Sequence, residues 1–298
     1  MKTLLTILMC CCVLAGCDKG PKSSGSSTVK TLSGFGSKGI VQNGVVKLYR
    51  VVNGAVGTVI ATTTTADDGS FALAPAEADL TSMVWLELRG AEDGSTRVQC
   101  DLASCGVYAD SSNDDLNDNG LVDVGEWVNV DSSFRMTAWL VWSGNETAIS
   151  INPVTHAIAS QYSSAPSAST LAAQYAAVQE QLGLMVSPAH LPVLDVLTSD
   201  DTAGLQNQLL AAAVASVYGS DAETIEQQLT AVSTGVSTVP MREQSLTRIS
   251  ERALAVARRL PENTRATLVS HLDEVNQNAA DSENRLSADD LPMLPPLQ

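Results

Sequence analysis

Asp115, Asn117, Asn119, Asp123 and Glu126 set oxygen-bearing side chains at regular places in one stretch, Asp115-Leu116-Asn117-Asp118-Asn119-Gly120-Leu121-Val122-Asp123-Val124-Gly125-Glu126. Hard divalent cations such as calcium (Ca2+) are held by oxygen ligands. A twelve-residue calcium loop takes side-chain oxygens at its first, third, fifth, ninth and twelfth positions and a backbone carbonyl at its seventh, with glycine at the sixth for a sharp turn. Asp115, Asn117 and Asn119 fill the first three side-chain places, and Gly120 falls at the turn. Leu121 offers the carbonyl, Asp123 ligates directly or through water, and Glu126 closes the loop with both carboxylate oxygens. Val122 takes the place that points into the core, and Trp127 supplies the apolar residue after the loop. Only Asp115, Asp123 and Glu126 bring formal charge, so the expected affinity is weak, with Kd roughly 10⁻⁴ to 10⁻³ M. Between Arg97 and Arg135 there are eight acidic residues and no Lys or Arg. Without a cation this segment repels itself, and local disorder is expected.

Cysteine supplies the second piece of chemistry. Cys10, Cys11 and Cys12 stand in the apolar N-terminal run and Cys17 at its end, which leaves Cys100 and Cys105. In an exported, oxidising setting such a pair reads as a disulfide. Two Cys with no nearby His do not make a zinc site.

Signals for catalysis are absent. His156, His190 and His271 are far apart and form no helical metal pair, and no Gly-x-Ser-x-Gly elbow or phosphate loop occurs. His156, just after Asn152-Pro153, reads as a packed or capping residue. Trp139 and Trp142 read as sheet-packing aromatics, with a surface carbohydrate platform as the alternative.

The acidic loop resembles that of the EF-hand and dockerin families, and its surroundings depart from an EF-hand. Gly106 to Asp114 before it and Val128 to Ser133 after it carry no helix signal. A calcium sensor works through paired helices that open. This loop is expected instead to pin a long connection between strands.

The elements that must position these residues come in two kinds. Ile40-Val41, Val45–Val52, Thr58–Thr64, Ser70–Leu73 and Met83–Leu88 are rich in β-branched and aromatic residues. Asn43-Gly44, Asn53-Gly54, Asp68-Gly69 and Asp93-Gly94 separate them as turn signals. Short strands at this spacing suggest a β-sandwich. Gly44-Val45-Val46-Lys47-Leu48-Tyr49 and the stretch Ala61 to Leu73 also resemble the carboxypeptidase regulatory-like, or transthyretin-like, β-sandwich family. That resemblance implies a structural or adhesive module without catalytic residues, with Phe71 packed in the core. Phe134–Trp142 and Thr147–Ile151 read as two further strands, paired across Ser143-Gly144-Asn145.

From Pro153 the period becomes helical. Helices are expected over Pro153–Tyr162, Ala168–Leu182 with Gly183 as its stop, and Thr202–Tyr218. A capping box, Ser220-Asp221-Ala222-Glu223, opens another, and two more run Arg242–Arg259 and Glu262–Asn276. Leu246, Ile249, Ala253 and Ala257 form one apolar stripe, which reads as the core of a bundle, with a partner-binding groove as the alternative.

The chain opens with Lys2 before an apolar run of about 14 residues, short of the roughly 20 that span a bilayer. Charge, apolar run and small residues follow one another as in a secretory signal. Leu14-Ala15-Gly16-Cys17 resembles the lipobox of bacterial lipoproteins. This implies cleavage after Gly16 and a lipid on Cys17 that holds the chain on a membrane. Asp18 resembles the inner-membrane retention signal of enteric bacteria, and inner and outer membrane both stay open. Formal net charge is -16, which disfavours nucleic acid, because neutralising phosphates needs a basic face.

The expected fold is α+β: an N-terminal β-sandwich with a calcium-braced extension, then a C-terminal α-helical domain. The expected segments are signal peptide 1–16, flexible tether 17–36, sandwich 37–98, disulfide and calcium-loop extension 99–152, helical domain 153–279 and acidic, Pro-rich tail 280–298. The expected function is that of a lipid-anchored envelope protein with one structural calcium site and no catalysis. It would be a binding, adhesive or structural module with a protein or glycan partner. An envelope chaperone or assembly factor, or an enzyme with an unrecognised site, are the alternatives.

Overall fold

The computed structural model describes residues 30–76, 83–108, 113–218, 224–238 and 244–285. The signal sequence, Cys17, the capping box at Ser220 to Glu223 and residues 286–298 lie outside the described residues.

The fold is α+β. Among the described residues, twelve strands precede six helices in chain order. The strands are β1 (Leu32–Gly36), β2 (Val41–Gln42), β3 (Val45–Val52), β4 (Ala55–Thr64), β5 (Ser70–Leu73), β6 (Met83–Arg89), β7 (Arg97–Gln99), β8 (Ser104–Val107), β9 (Leu121–Asp123), β10 (Trp127–Asn129), β11 (Arg135–Val141) and β12 (Glu146–Ile151). The helices are α1 (Pro153–Ser160), α2 (Ala168–Leu182), α3 (Thr202–Tyr218), α4 (Ile225–Thr238), α5 (Gln244–Ala257) and α6 (Glu262–Arg285).

A four-stranded antiparallel sheet, in the order β11-β6-β3-β4, is the centre of the molecule. Side chains on a strand alternate between faces, and β3, β6 and β11 bury residues on both, while the edge strand β4 stays largely exposed. Val46, Leu48, Val84, Leu86, Leu88, Met136 and Ala138 point to one side, into a core with Leu32, Phe71, Leu73, Ile149 and Ile151. Those partners belong to a second sheet, β12-β1-β5. Val51, Met83, Trp85 and Trp139 join the other core, with Val154, Ile158, Tyr175 and Leu209 of the helices. The architecture is therefore three layers: small sheet, large sheet, helices. Asn53 and Gly54, both at positive φ, make the two-residue turn from β3 to β4 that their sequence signals.

Several expectations change. Leu32 to Gly36, at the end of the expected flexible tether, is β1, the central strand of the small sheet, with Leu32 fully buried. Its glycines serve close packing and not flexibility: a Cβ on Gly34 would lie 2.1 Å from the Ile149 carbonyl oxygen. The expected hairpin between β11 and β12 does not form. β11 ends the large sheet beside β6, and β12 crosses to run parallel to β1, turning through Gly144 and Ala148 at positive φ. Strands from the 99–152 segment thus complete both sheets. α6 runs to Arg285, beyond the expected end at Asn276, because the following Ala, Asp and Glu residues contain no helix breaker although the apolar stripe has stopped.

The helical layer is tied down by polar side chains. Asn152 caps α1, accepting from the backbone N–H of Val154 and Thr155 at 2.9 Å, while its Nδ2 donates to the Pro188 carbonyl at 2.7 Å. Buried Gln208 of α3 accepts from Leu194 N and donates to Leu194 O. The irregular link from α2 to α3 thereby has backbone groups satisfied by side chains. Gly183, at φ 65°, stops α2 as expected. Among the described residues, no helix is long and apolar enough to cross a membrane.

Gly34→Ala is expected to destabilise the chain by about 1–3 kcal/mol, because the added methyl has no free space against Ile149. Urea unfolding checks this, and an unchanged midpoint would mean that β1 is not clamped between β5 and β12.

Candidate metal centre

The acidic loop hangs between strands. Among the described residues no helix flanks it: β8 lies before it, β9 forms part of it and β10 follows. At its middle, Val107 pairs with Leu121, and Tyr108 N donates to Gly120 O at 2.9 Å. At its far end, Cys100 N donates to Glu126 O and Gly125 N donates to Cys100 O, each at 2.8 Å. Val122 is fully buried, as its place in the loop requires. Gly120 (φ 79°) and Gly125 (φ 87°) hold left-handed turns that favour glycine.

The five side chains expected to bind a cation all hydrogen-bond within the loop. Asp115 accepts from Asn119 N at 3.0 Å and Gly120 N at 2.9 Å. Asn117 Oδ1 accepts from Asn119 N, and Asn119 Oδ1 accepts from Leu121 N. Both Asn side chains donate through Nδ2 to Asp123 Oδ2, at 2.9 and 2.7 Å. Glu126, only 4 % exposed, spans the loop: Oε1 accepts from Leu116 N at 2.7 Å and Oε2 from Asp123 N at 2.6 Å. Leu121 starts β9 with its side chain partly exposed.

This donor set matches a calcium ion in ligand type. Asn117 and Asn119 present N–H to Asp123, whereas a cation needs their carbonyl oxygens. Half a turn of each carboxamide would bring its oxygen to the Asp123 side, at the loss of the bonds that Asn117 Oδ1 accepts from Asn119 N and Asn119 Oδ1 from Leu121 N. Among the described residues, no three His, Cys, Asp or Glu side chains come together as a metal-holding group. Backbone and side-chain N–H groups of the loop meet its three carboxylates.

Two arginines from outside the acidic run stand beside its carboxylates. Arg97 pairs with Asp114 at 3.1 Å and lies over the Trp127 ring, 5.5 Å from its centroid. Arg259, in the turn between α5 and α6, donates to Ala103 O at 2.6 Å and approaches Asp123 Oδ1 at 3.4 Å. Neither pairing is visible in sequence, because the partner of Asp123 stands 136 residues away. Arg259, Leu197, Leu116 and Asn117 line an open recess of about 530 Å³ beside the loop.

Cys100 and Cys105 stand as a disulfide, with Cα atoms 5.7 Å apart. Inside this small ring lies Asp101, whose carboxylate meets the Lys38 ammonium and accepts from Gly39 N at 2.5 Å. The reading of the sequence missed this buried pair, since nothing in it marks Lys38 as an interior residue.

His156 is buried. Its Nδ1 lies 3.0 Å from Thr137 Oγ1 and its Nε2 3.3 Å from Leu229 O. A carbonyl can only accept, so Nε2 carries the proton and Nδ1 accepts from the hydroxyl. Burial pushes the imidazole down to about 4, with the charge of Arg135 adding to the effect. His156 joins the large sheet to α1 and α4 as a neutral packing residue. Trp139 and Trp142 are buried too, at 2 % and 8 % exposure, and offer no surface platform. Trp139 meets Trp85 edge-on at 4.5 Å, and its carbonyl accepts from the Tyr175 hydroxyl at 2.9 Å.

No family model matches this chain, and no curated protein or solved structure matches it either.

The His156 pKa is lower in the folded state than unfolded, so the unfolded chain binds more protons between about pH 6.5 and 4. Stability from this residue is complete above that window and is lost as pH falls through it, on the order of 3 kcal/mol in total. Thermal melting across the window is expected to show a steeper acid loss for wild type than for His156→Gln. Parallel curves would contradict the assignment.

Proposed function

We propose that the chain is a lipid-anchored cell-envelope protein whose calcium loop is structural, a brace within a binding, adhesive or structural module. The observation that carries this reading is Glu126. One buried carboxylate closes both ends of the loop, while Asp115, Asn117, Asn119 and Asp123 bond to groups of the same loop. Calcium would draw on the oxygens of these residues with the Leu121 carbonyl, and would replace N–H donors with one shared positive charge. The loop is anchored to strands and a disulfide, not to helices able to swing apart, which suits a brace rather than a sensor.

The lipid on Cys17 supplies the setting. It would hold the folded part on the extracytoplasmic side of a bacterial membrane. There, thiols oxidise and calcium reaches concentrations that fill a weak site. The partner is a protein or glycan of unidentified chemistry. An envelope chaperone would need an exposed groove along the α5 stripe. Ile249, Ala253 and Ala257 are instead buried in the core that α5 shares with α3 and α6.

Calcium titration followed by thermal melting tests the loop. Millimolar calcium is expected to raise the melting temperature of wild type and to leave Asp115→Ala unmoved. No shift in wild type would remove the calcium reading. Arg259→Ala, which takes a competing cation from Asp123, is expected to tighten calcium binding a few-fold, and weaker binding would contradict that role. Cys17→Ser is expected to move the chain from the membrane to the soluble fraction, and continued membrane partition would overturn the anchor.

A further inference from the structure

Lys38 is the most deeply enclosed ammonium among the described residues. Its side chain is 0 % exposed, and the Asp101 carboxylate facing it is 1 % exposed. The pair joins positions far apart in sequence. Lys38 lies in the Ser37-to-Ile40 turn between β1 and β2, and Asp101 lies inside the Cys100–Cys105 ring. Nζ and Oδ1 are in direct contact. The other carboxyl oxygen, Oδ2, accepts from Gly39 N at 2.5 Å. Gly39 holds this approach at φ 63°, where a Cβ would strike the Gln99 carbonyl, so the N–H is fixed where it stands.

Three features of this arrangement favour covalent chemistry. Separate charges are costly away from water, whereas a neutral amide carries no such penalty. Fixing nucleophile and electrophile in contact gives a large effective concentration. A rigid backbone N–H at the second oxygen is placed to stabilise negative charge that develops there.

We propose that Lys38 and Asp101 condense into an isopeptide cross-link. A proton passes from the Lys38 ammonium to Asp101 Oδ1, leaving a neutral amine and a neutral acid. The Nζ lone pair attacks Cγ, and the carbonyl electron pair moves onto Oδ2, under the Gly39 N–H. A second proton moves from Nζ to Oδ1, the Cγ–Oδ1 bond breaks, and one water leaves. An ammonium and a carboxylate thus become a secondary amide and water, with no oxidant, reductant or metal. The product would join the β1–β2 turn covalently to the disulfide ring, and through Cys100 to the end of the acidic loop.

Peptide mapping of the full chain purified from membranes tests the cross-link. After reduction, alkylation and trypsin, wild type is expected to give one branched peptide. It joins residues 31–47, uncut at Lys38, to residues 98–135, and is lighter than their sum by one water. Lys38→Met and Asp101→Ala are each expected to abolish it. Recovery of separate 31–38, 39–47 and 98–135 peptides from the wild type would overturn the proposal. So would persistence of the branched species in either variant.

Discussion

A lysine with no exposed side-chain surface is the severest constraint in this structure. Lys38 can be enclosed only because Asp101 meets it, as an ion pair or as the amide that pair can form. Removing one member would strand a charge in the interior at a cost of about 3–5 kcal/mol. The pairing fixes more than two residues. It sets the β1–β2 turn against the Cys100–Cys105 ring. Cys100 in turn shares two backbone hydrogen bonds with Gly125 and Glu126. Glu126 then closes the acidic loop at Leu116 and Asp123. The path from N-terminal strand to acidic loop is thus a continuous series of short, buried contacts.

The large sheet explains why the helical half and the β half form one packed body. A sheet with one wet face would show polar residues at every second position. Here alternate residues of β3, β6 and β11 enter the sandwich core, and Val51, Met83, Trp85 and Trp139 between them meet helices. His156 sits at that second interface, bonded to Thr137 of β11 and to the α4 backbone. Arg259 makes a third connection, from the α5–α6 turn to the acidic loop.

What was legible in the sequence was local. The turn pairs and β-branched runs place β3, β5 and β6 closely, and Pro153, Gly183 and the 3.6-residue period place α1, α2 and α3. The glycine turn at Gly120 and the buried Val122 are legible because their places in the loop spacing are themselves the signal. Long-range choices were hidden. Leu32-Ser33-Gly34-Phe35-Gly36 looks flexible until Ile149 is known to need the space over Gly34. β12 could pair with β11 or cross the sandwich, and only the vacancy beside β1 decides. Lys38 looks like any surface lysine, and Arg259 gives no hint of Asp123. No motif marks either, because their partners are set by the fold.

On the proposed function, calcium braces this one loop. Bound calcium would turn the carbonyl oxygens of Asn117 and Asn119 inward and relieve the mutual repulsion of Asp115, Asp123 and Glu126. The surrounding strands, already fixed by the disulfide and Lys38, would hardly change. Residue-resolved amide hydrogen exchange of the full chain, with and without millimolar calcium, tests this most directly. The expected result is slower exchange at the amides from Leu116 to Glu126, with α1 and α3 unchanged. Equal exchange in the loop under both conditions would contradict the claim.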